Sequence, residues 1–277
     1  MHIVCCLKQV PDTAQVKIDP ETNTLVRSGI ESILNPYDLV ALEQAVRIKE
    51  KHGGTITALT MGPPQASSIL RQAISMGADE VYLLSDRAFA GADTLATSYT
   101  LAMAIVKLGN KIPVDLILCG KQAIDGDTAQ TGPGIATRLK YTQLTYVSKI
   151  QWIDPEKKKI QVERKVDGGV EVVVGDLPAL LTVEIELARP RRASLPALIA
   201  SFKAPVPVWD VKAIEAVETM VGIKGSPTWV RKISSPAPRQ GGPRFRAEKN
   251  PEKAVAKCLE VVFTEDSFFS NFKQIGS

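Results

Sequence analysis

Histidine is nearly missing: the 277-residue chain holds two, His2 and His52. A His-based zinc site or a Ser/His/Asp triad has almost no material to build from, so metalloenzyme and hydrolase readings fall away first. Cysteine is scarce as well. Cys5, Cys6, Cys119 and Cys258 form no CxxC pair, and buried, reduced thiols of a cytoplasmic protein are the expectation. If residues 2–7 form a strand, Cys5 and Cys6 face opposite ways. No stretch nears the ~20 apolar residues of a membrane helix. The short run Ile3 to Leu7, followed at once by Lys8, is no secretory signal. Excess charge is lacking too: 34 basic and 30 acidic side chains leave a net +4 spread along the chain, too mild for nucleic acid. The expectation is a cytoplasmic protein with no membrane insertion and no nucleic-acid partner.

What is present is a large apolar fraction, 44%, enough to bury a core without staples. Short β-branched runs alternate with helical patterns in the first half. Residues 2–7 read as a strand and 16–27 as a hairpin turned at Pro20 to Asn23. Leu39, Val40, Leu42, Ala45, Val46 and Ile48 have helical spacing over 36–51, with Asn35 as N-cap, Pro36 at the first helical position and Gly53-Gly54 at the end. Strand 55–61, helix 64–76, strand 80–84, helix 94–108 capped by Asp93, and strand 114–119 continue the alternation. It predicts an α/β, Rossmann-like, mostly parallel sheet with helices on both faces, and ligands in such sheets sit beyond the carboxyl ends of the strands.

After about residue 140, four strands (143–153, 159–166, 170–175, 179–185) joined by turns such as Asp167-Gly168-Gly169 predict an antiparallel addition to the same sheet. Ten of the eighteen prolines fall between 178 and 251. That stretch reads as an extended C-terminal arm with short helices near 195–202 and 210–216, and a last amphipathic helix covers about 251–264. The division expected is 1–187 for the α/β domain and 188–277 for a loop and arm that lie on a partner.

The segment most suggestive of chemistry is GKQAIDGDTAQTGPG (120–134), between a predicted strand and a predicted helix. Its glycines free the backbone to present N–H groups at a helix N-terminus, an anion cradle; ordinary capping by Asp127 and Thr128 is the plain alternative. It matches neither a P-loop nor a GxGxxG fingerprint. Cys6-Leu7-Lys8, Met61-Gly62 and Asn35-Pro36 with Asp38 point to the same sheet edge, where free amides suit adenine, although each alone is common turn chemistry.

Val162-x-Arg164-x-x-Asp167-Gly168-Gly169-x-Glu171-x-Val173, continued by Pro178-x-Leu180-Leu181-Thr182, resembles the β-subunit signature of the electron-transfer flavoproteins. GKQAIDGDTAQTG (120–132) is similar to that family's nucleotide loop and Asn35-Pro36 to its helix-opening motif, in the same order along nearly the whole chain. The resemblance implies an adenine-nucleotide-hydrolase-like fold and an α-subunit partner carrying a transferring FAD. The pocket of this chain then holds either structural AMP, in a conventional member, or a second FAD that accepts hydride from NADH, in an electron-bifurcating one.

Thr24 to Gly29, Asp86 to Thr94, Asp125 to Gln130 and Gly222 to Thr228 resemble the bifurcating branch, while Tyr37 stands where many of its members carry an acidic residue. The implied cofactor-binding set is Cys6, Leu7, Lys8, Arg27, Asn35, Pro36, Asp38, Met61, Gly62, Asp93, Thr94, Thr97, Gly120, Lys121, Gln122, Ala123, Asp125, Gly126, Asp127, Thr128, Ala129, Gln130, Thr131 and Gly132. Thr94 and Thr97 are expected to meet the extra phosphate of FAD, and Arg27 the flavin or nicotinamide edge. Electrons would pass to ferredoxin or flavodoxin and to an acyl-CoA-type dehydrogenase.

Arg189 to Ile199 resembles the family's recognition loop, with Leu195 as anchor and Arg191, Pro196 and Ile199 around it; the rival is a Leu195 that simply starts a packed helix. A stand-alone nucleotide sensor of the stress-protein type is the more distant alternative, and it would have no use for the loop or the arm.

Overall fold

The structure, a computed structural model, describes residues 1–12, 17–18, 25–26, 31–229, 244–246 and 250–264. In chain order, β1 (His2–Cys6) is followed by β2 (Gln9–Pro11), β3 (Lys17–Ile18), β4 (Leu25–Val26) and β5 (Ser32–Leu34). These four short strands make two antiparallel pairs, β2 with β5 and β3 with β4, the second being the expected hairpin, whose turn lies outside the described residues. Then come α1 (Pro36–His52), β6 (Thr55–Met61), α2 (Ser67–Met76), β7 (Glu80–Leu84), α3 (Thr94–Gly109), β8 (Leu116–Gly120) and α4 (Thr131–Leu139). The remaining strands are β9 (Thr142–Asp154), β10 (Lys159–Val166), β11 (Gly169–Asp176) and β12 (Ala179–Val183), after which α5 (Leu195–Lys203) leads to β13 (Val208–Trp209).

One nine-stranded sheet results, in the order β11-β10-β9-β12-β8-β1-β6-β7-β13. β1 lies in its interior, between β8 and β6, and HIVCC is buried along its whole length, as an interior parallel strand must be. Its side chains alternate between two cores: Ile3 and Cys5 pack with Val40, Leu42, Val46, Ile69 and Leu70 of α1 and α2. Val4 and Cys6 pack with Tyr99, Leu101, Ile105 and Ile135 of α3 and α4. Cys5 and Cys6 thus face opposite ways, as a period of two requires.

The expected antiparallel addition is present as β9-β10-β11, but the fourth strand expected in it belongs to the parallel part of the sheet. β12 is parallel to both its neighbours, β8 and β9; β10 alone runs against the others, antiparallel to β9 on one side and β11 on the other. The reason is burial: ALLTV is covered at every position, which suits an interior parallel strand and not an exposed meander. Residues 210–216 are not a helix either, but a set of turns in which Asp210 caps Ala213 and Glu215 takes φ +55°. Just before them, β13 adds a parallel edge strand to β7, with Trp209 stacked on Tyr82 at 4.0 Å.

The chain divides into two compact units, Met1–Arg231 and Lys232–Ser277. In the second, α6 (Pro251–Thr264) is the described element, and Cys258 is exposed on it rather than buried. No helix among the described residues is long and apolar enough to cross a membrane.

Candidate nucleotide site

After β1 the chain steps through β6 to β7 on one side, then returns with β8 to the other side of β1. The crevice where strand order reverses is where open α/β sheets bind ligands. Cys6 pairs in register with Cys119 across that reversal. A cleft of about 670 Å³ opens beyond these two residues, within the ~300–1,000 Å³ typical of small-molecule sites.

The cleft gathers most of the residues expected from the sequence: Cys6, Leu7, Lys8, Asn35, Asp38, Met61, Asp93, Thr94, Thr97, Gly120 to Ala123 and Gly126 to Gly132. Arg27 lies outside the described residues. Pro36, Gly62 and Asp125 do not line the cleft. Pro36 begins α1, the Gly62 amide donates to Leu84 O at 3.0 Å, and the Asp125 carboxylate takes Lys8 Nζ at 2.7 Å. Sequence reading missed Ala92, Leu101, Cys119, Ile135 and Thr228. Helical spacing signals two of them, since Leu101 and Ile135 stand four residues beyond Thr97 and Thr131.

Asp38 organises the near side. Its carboxylate accepts the Lys8 amide at 2.8 Å and the Gly120 amide at 2.8 Å, tying the ends of β1 and β8 to the first turn of α1. Burial raises this carboxyl, and the two amide donors pull it back only in part, so that it sits at about 7. Asn35 occupies the N-cap position of α1 but does not cap with its side chain. Nδ2 instead donates to Gln122 O at 2.9 Å and Oδ1 accepts from Ile124 N at 3.3 Å, so this buried amide holds the 120–132 loop against the helix.

The loop itself carries two non-glycine residues in the left-handed region, Asp127 at φ +50° and Ala129 at φ +53°. Such backbone persists only where its surroundings impose it. Gln122 Nε2 donates to Asp127 Oδ1 at 2.8 Å, and the N-cap position of α4 falls to Gln130, which makes no side-chain cap bond. Capping by Asp127 and Thr128 is therefore not the arrangement. Among the described residues, the amides of Thr128, Ala129, Gln130, Thr131 and Gly132 meet no protein acceptor. Five free donors at the positive end of a helix form a cradle for an anion.

Lys121 adds no free charge: its ammonium pairs with the buried Glu184 at 3.0 Å and lies 5.4 Å from the Tyr37 ring. The floor is also uncharged, since burial pushes the Cys6 and Cys119 thiols far above their ordinary range. Opposite the loop, the Asp93 carboxylate caps α3 through the amides of Leu95 and Ala96 and also accepts from Thr228. Thr94 Oγ1 donates to Gln130 Oε1 at 3.1 Å, linking the two walls.

Away from the cleft, Leu195 opens α5 and is 68% exposed; the helix it starts rests on α2, where Arg71 Nη1 donates to Ser201 O at 2.9 Å, but Leu195 itself stands clear of that contact. Pro196 is exposed beside it, as is Ile199. Arg191 is held within the chain, its guanidinium on the carboxylates of Glu43 at 2.9 Å and Glu50 at 2.5 Å.

Residues 22–214 match the electron transfer flavoprotein domain family. The chain is 49% identical over 269 residues to Protein FixA of Azotobacter vinelandii, covering 96% of this chain and 95% of that one. It is 50% identical over 243 residues to the caffeyl-CoA reductase-Etf complex subunit CarD of Acetobacterium woodii, with 87% and 90% covered. With the electron transfer flavoprotein subunit beta of Thermoanaerobacterium thermosaccharolyticum it shares 46% identity over 261 residues, with 94% and 97% covered.

Proposed function

The chain belongs to the electron transfer flavoprotein family, on its β-subunit side, and from that premise we propose that its switch-point cleft holds an FAD in a heterodimer of the electron-bifurcating kind. One observation carries the proposal: the free amides of residues 128–132 line the cleft at the N-terminus of α4. They suit the phosphates of an adenine dinucleotide. The choice of FAD over AMP is supported by the second wall, where Asp93, Thr94, Thr97, Leu101 and Thr228 extend the cleft with hydroxyls and apolar surface beyond what a mononucleotide uses.

In this reading the amides of 128–132 hold the pyrophosphate, and Thr94 and Thr97 meet its outer phosphate. Cys6, Leu7 and Met61 give a neutral apolar bed, while Asn35 and Asp38 keep the loop and the two strand ends fixed. When bound, the flavin supplies hydride acceptance and one-electron transfer. The protein contributes position and exclusion of water. NADH would be the donor; ferredoxin or flavodoxin, and the FAD of an α subunit, would be the acceptors.

The exposed apolar residues Leu195, Pro196 and Ile199 would dock an acyl-CoA-type dehydrogenase. The Arg191 clamp on α1 would set the attitude of that loop, and the segment from 188 onward would lie on the α subunit. A cytoplasmic location fits this role.

The test is nucleotide extraction and mass measurement on purified heterodimer, with an NADH oxidation assay. Two FAD per heterodimer and NADH turnover are expected. One FAD with one AMP, and no NADH oxidation, would establish the conventional carrier instead.

A further inference from the structure

The last described stretch of the first unit returns to the cleft. Gly222 to Gly225 form a short turn whose Ile223 amide donates to Ala90 O at 3.0 Å. Gly222 holds φ +55° against the Ala88 carbonyl, where a Cβ would fall 1.9 Å from the oxygen. Ser226 Oγ then accepts the Asp93 amide at 2.8 Å. Thr228 N and Oγ1 reach Asp93 Oδ2 at 3.1 and 2.8 Å. The other oxygen of that carboxylate, Oδ1, caps α3. Asp93 therefore divides its two oxygens between a helix terminus and Thr228, the residue through which this segment joins the far wall of the cleft.

Resting on the nucleotide reading above, we infer that Asp93 is a positioning residue for that site: its Oδ2 latch on Thr228 keeps the far wall closed and so governs how long the nucleotide stays. A cap needs one acceptor oxygen; the latch needs the second. The two oxygens can be separated chemically. Asp93→Asn retains an N-cap, because asparagine caps as well as aspartate, but places an NH₂ group where Thr228 needs an acceptor. Thr228→Val removes the hydroxyl donor and leaves the cap untouched.

The experiment measures FAD release from the full complex, together with hydrogen exchange of residues 222–228 and of the start of α3 in nucleotide-depleted protein. Asp93→Asn and Thr228→Val are each expected to speed exchange at 222–228 and to accelerate FAD release about tenfold, the scale of one lost charge-assisted hydrogen bond. Asp93→Asn should leave exchange at the start of α3 unchanged. Asp93→Ala should raise it. Wild-type behaviour of Asp93→Asn in both measurements would reduce Asp93 to a helix cap and overturn the inference. Faster exchange at 222–228 with unchanged FAD release would also overturn it, since the latch would then not govern the cleft. A wild-type protein that takes up no FAD would fail the nucleotide reading itself, an outcome seen before any variant is made.

Discussion

Asp38 Oδ1 lies 2.8 Å from the Gly120 amide, which joins the first turn of α1 to the carboxyl end of β8. With its other oxygen on the Lys8 amide, one side chain holds both strand ends that flank the reversal of strand order.

The clamp has a pH signature. Burial raises the Asp38 carboxyl from 3.8 to about 7 in the folded chain. Between those values the folded state keeps a proton that the unfolded state has lost, so this group's contribution to stability falls as pH rises from about 4 to 7. Asp38→Asn removes that slope and one hydrogen-bond acceptor. Denaturant midpoints should place the variant about 1–2 kcal/mol below wild type near pH 5, with the gap narrowing near pH 8. Parallel profiles for the two proteins would assign the slope to another group.

Gly132 tests the loop from beneath. A Cβ there would stand 2.6 Å from Thr182 Cγ2 and 2.9 Å from Cys119 Sγ, so β12 and β8 leave no room for one under the first turn of α4. Gly132→Ala is expected to destabilise by about 1–3 kcal/mol, the usual scale of overpacking. It should also lower nucleotide content, because the amides of 128–132 move with that turn. Urea unfolding and nucleotide extraction check the two effects separately.

Glu43 is buried on α1 and accepts from Arg47 and from the backbone and side chain of Arg191. Burial alone would raise its carboxyl; the arginine hydrogen bonds outweigh this and hold it below its ordinary range. Glu43→Gln loosens the chain leading into α5 without touching the cleft. The expected result is a several-fold higher KM for the proposed dehydrogenase partner with unchanged nucleotide content. An unchanged KM would free the loop's attitude from this clamp.

Much of the cleft was readable from residue order. Strand–helix alternation gave the sheet, and the glycines and acids of 120–132 marked the loop, because local backbone freedom is written in local composition. Long-range pairing was not. Nothing local in ALLTV says that β12 slips between β8 and β9 in parallel; its continuous burial is decided by which strand arrives beside it. Asn35 likewise has the residue type of a cap, yet its amide serves Gln122 and Ile124, distant partners that only the fold brings near. Thr228 carried the weakest signal, since its place depends on a carboxylate 135 residues earlier.

The Lys8–Asp125 pair crosses from the end of β1 to the nucleotide loop with Nζ 2.7 Å from Oδ1, and both side chains are substantially exposed, at 49% and 31%. An exposed pair is worth only ~0–1 kcal/mol to folding, so Lys8→Gln should leave the denaturant midpoint nearly unchanged. On the proposed reading, its effect is on nucleotide retention. Lys8 lines the cleft, and removing its charge takes away a cation close to where an anionic ligand would sit. Nucleotide release is therefore expected to quicken several-fold at low salt. At about 1 M salt, where the Debye length shrinks to ~3 Å, variant and wild type should converge. A difference that persists unchanged across the salt series would mean that Lys8 acts by contact and shape, with Asp125 already neutralising its charge.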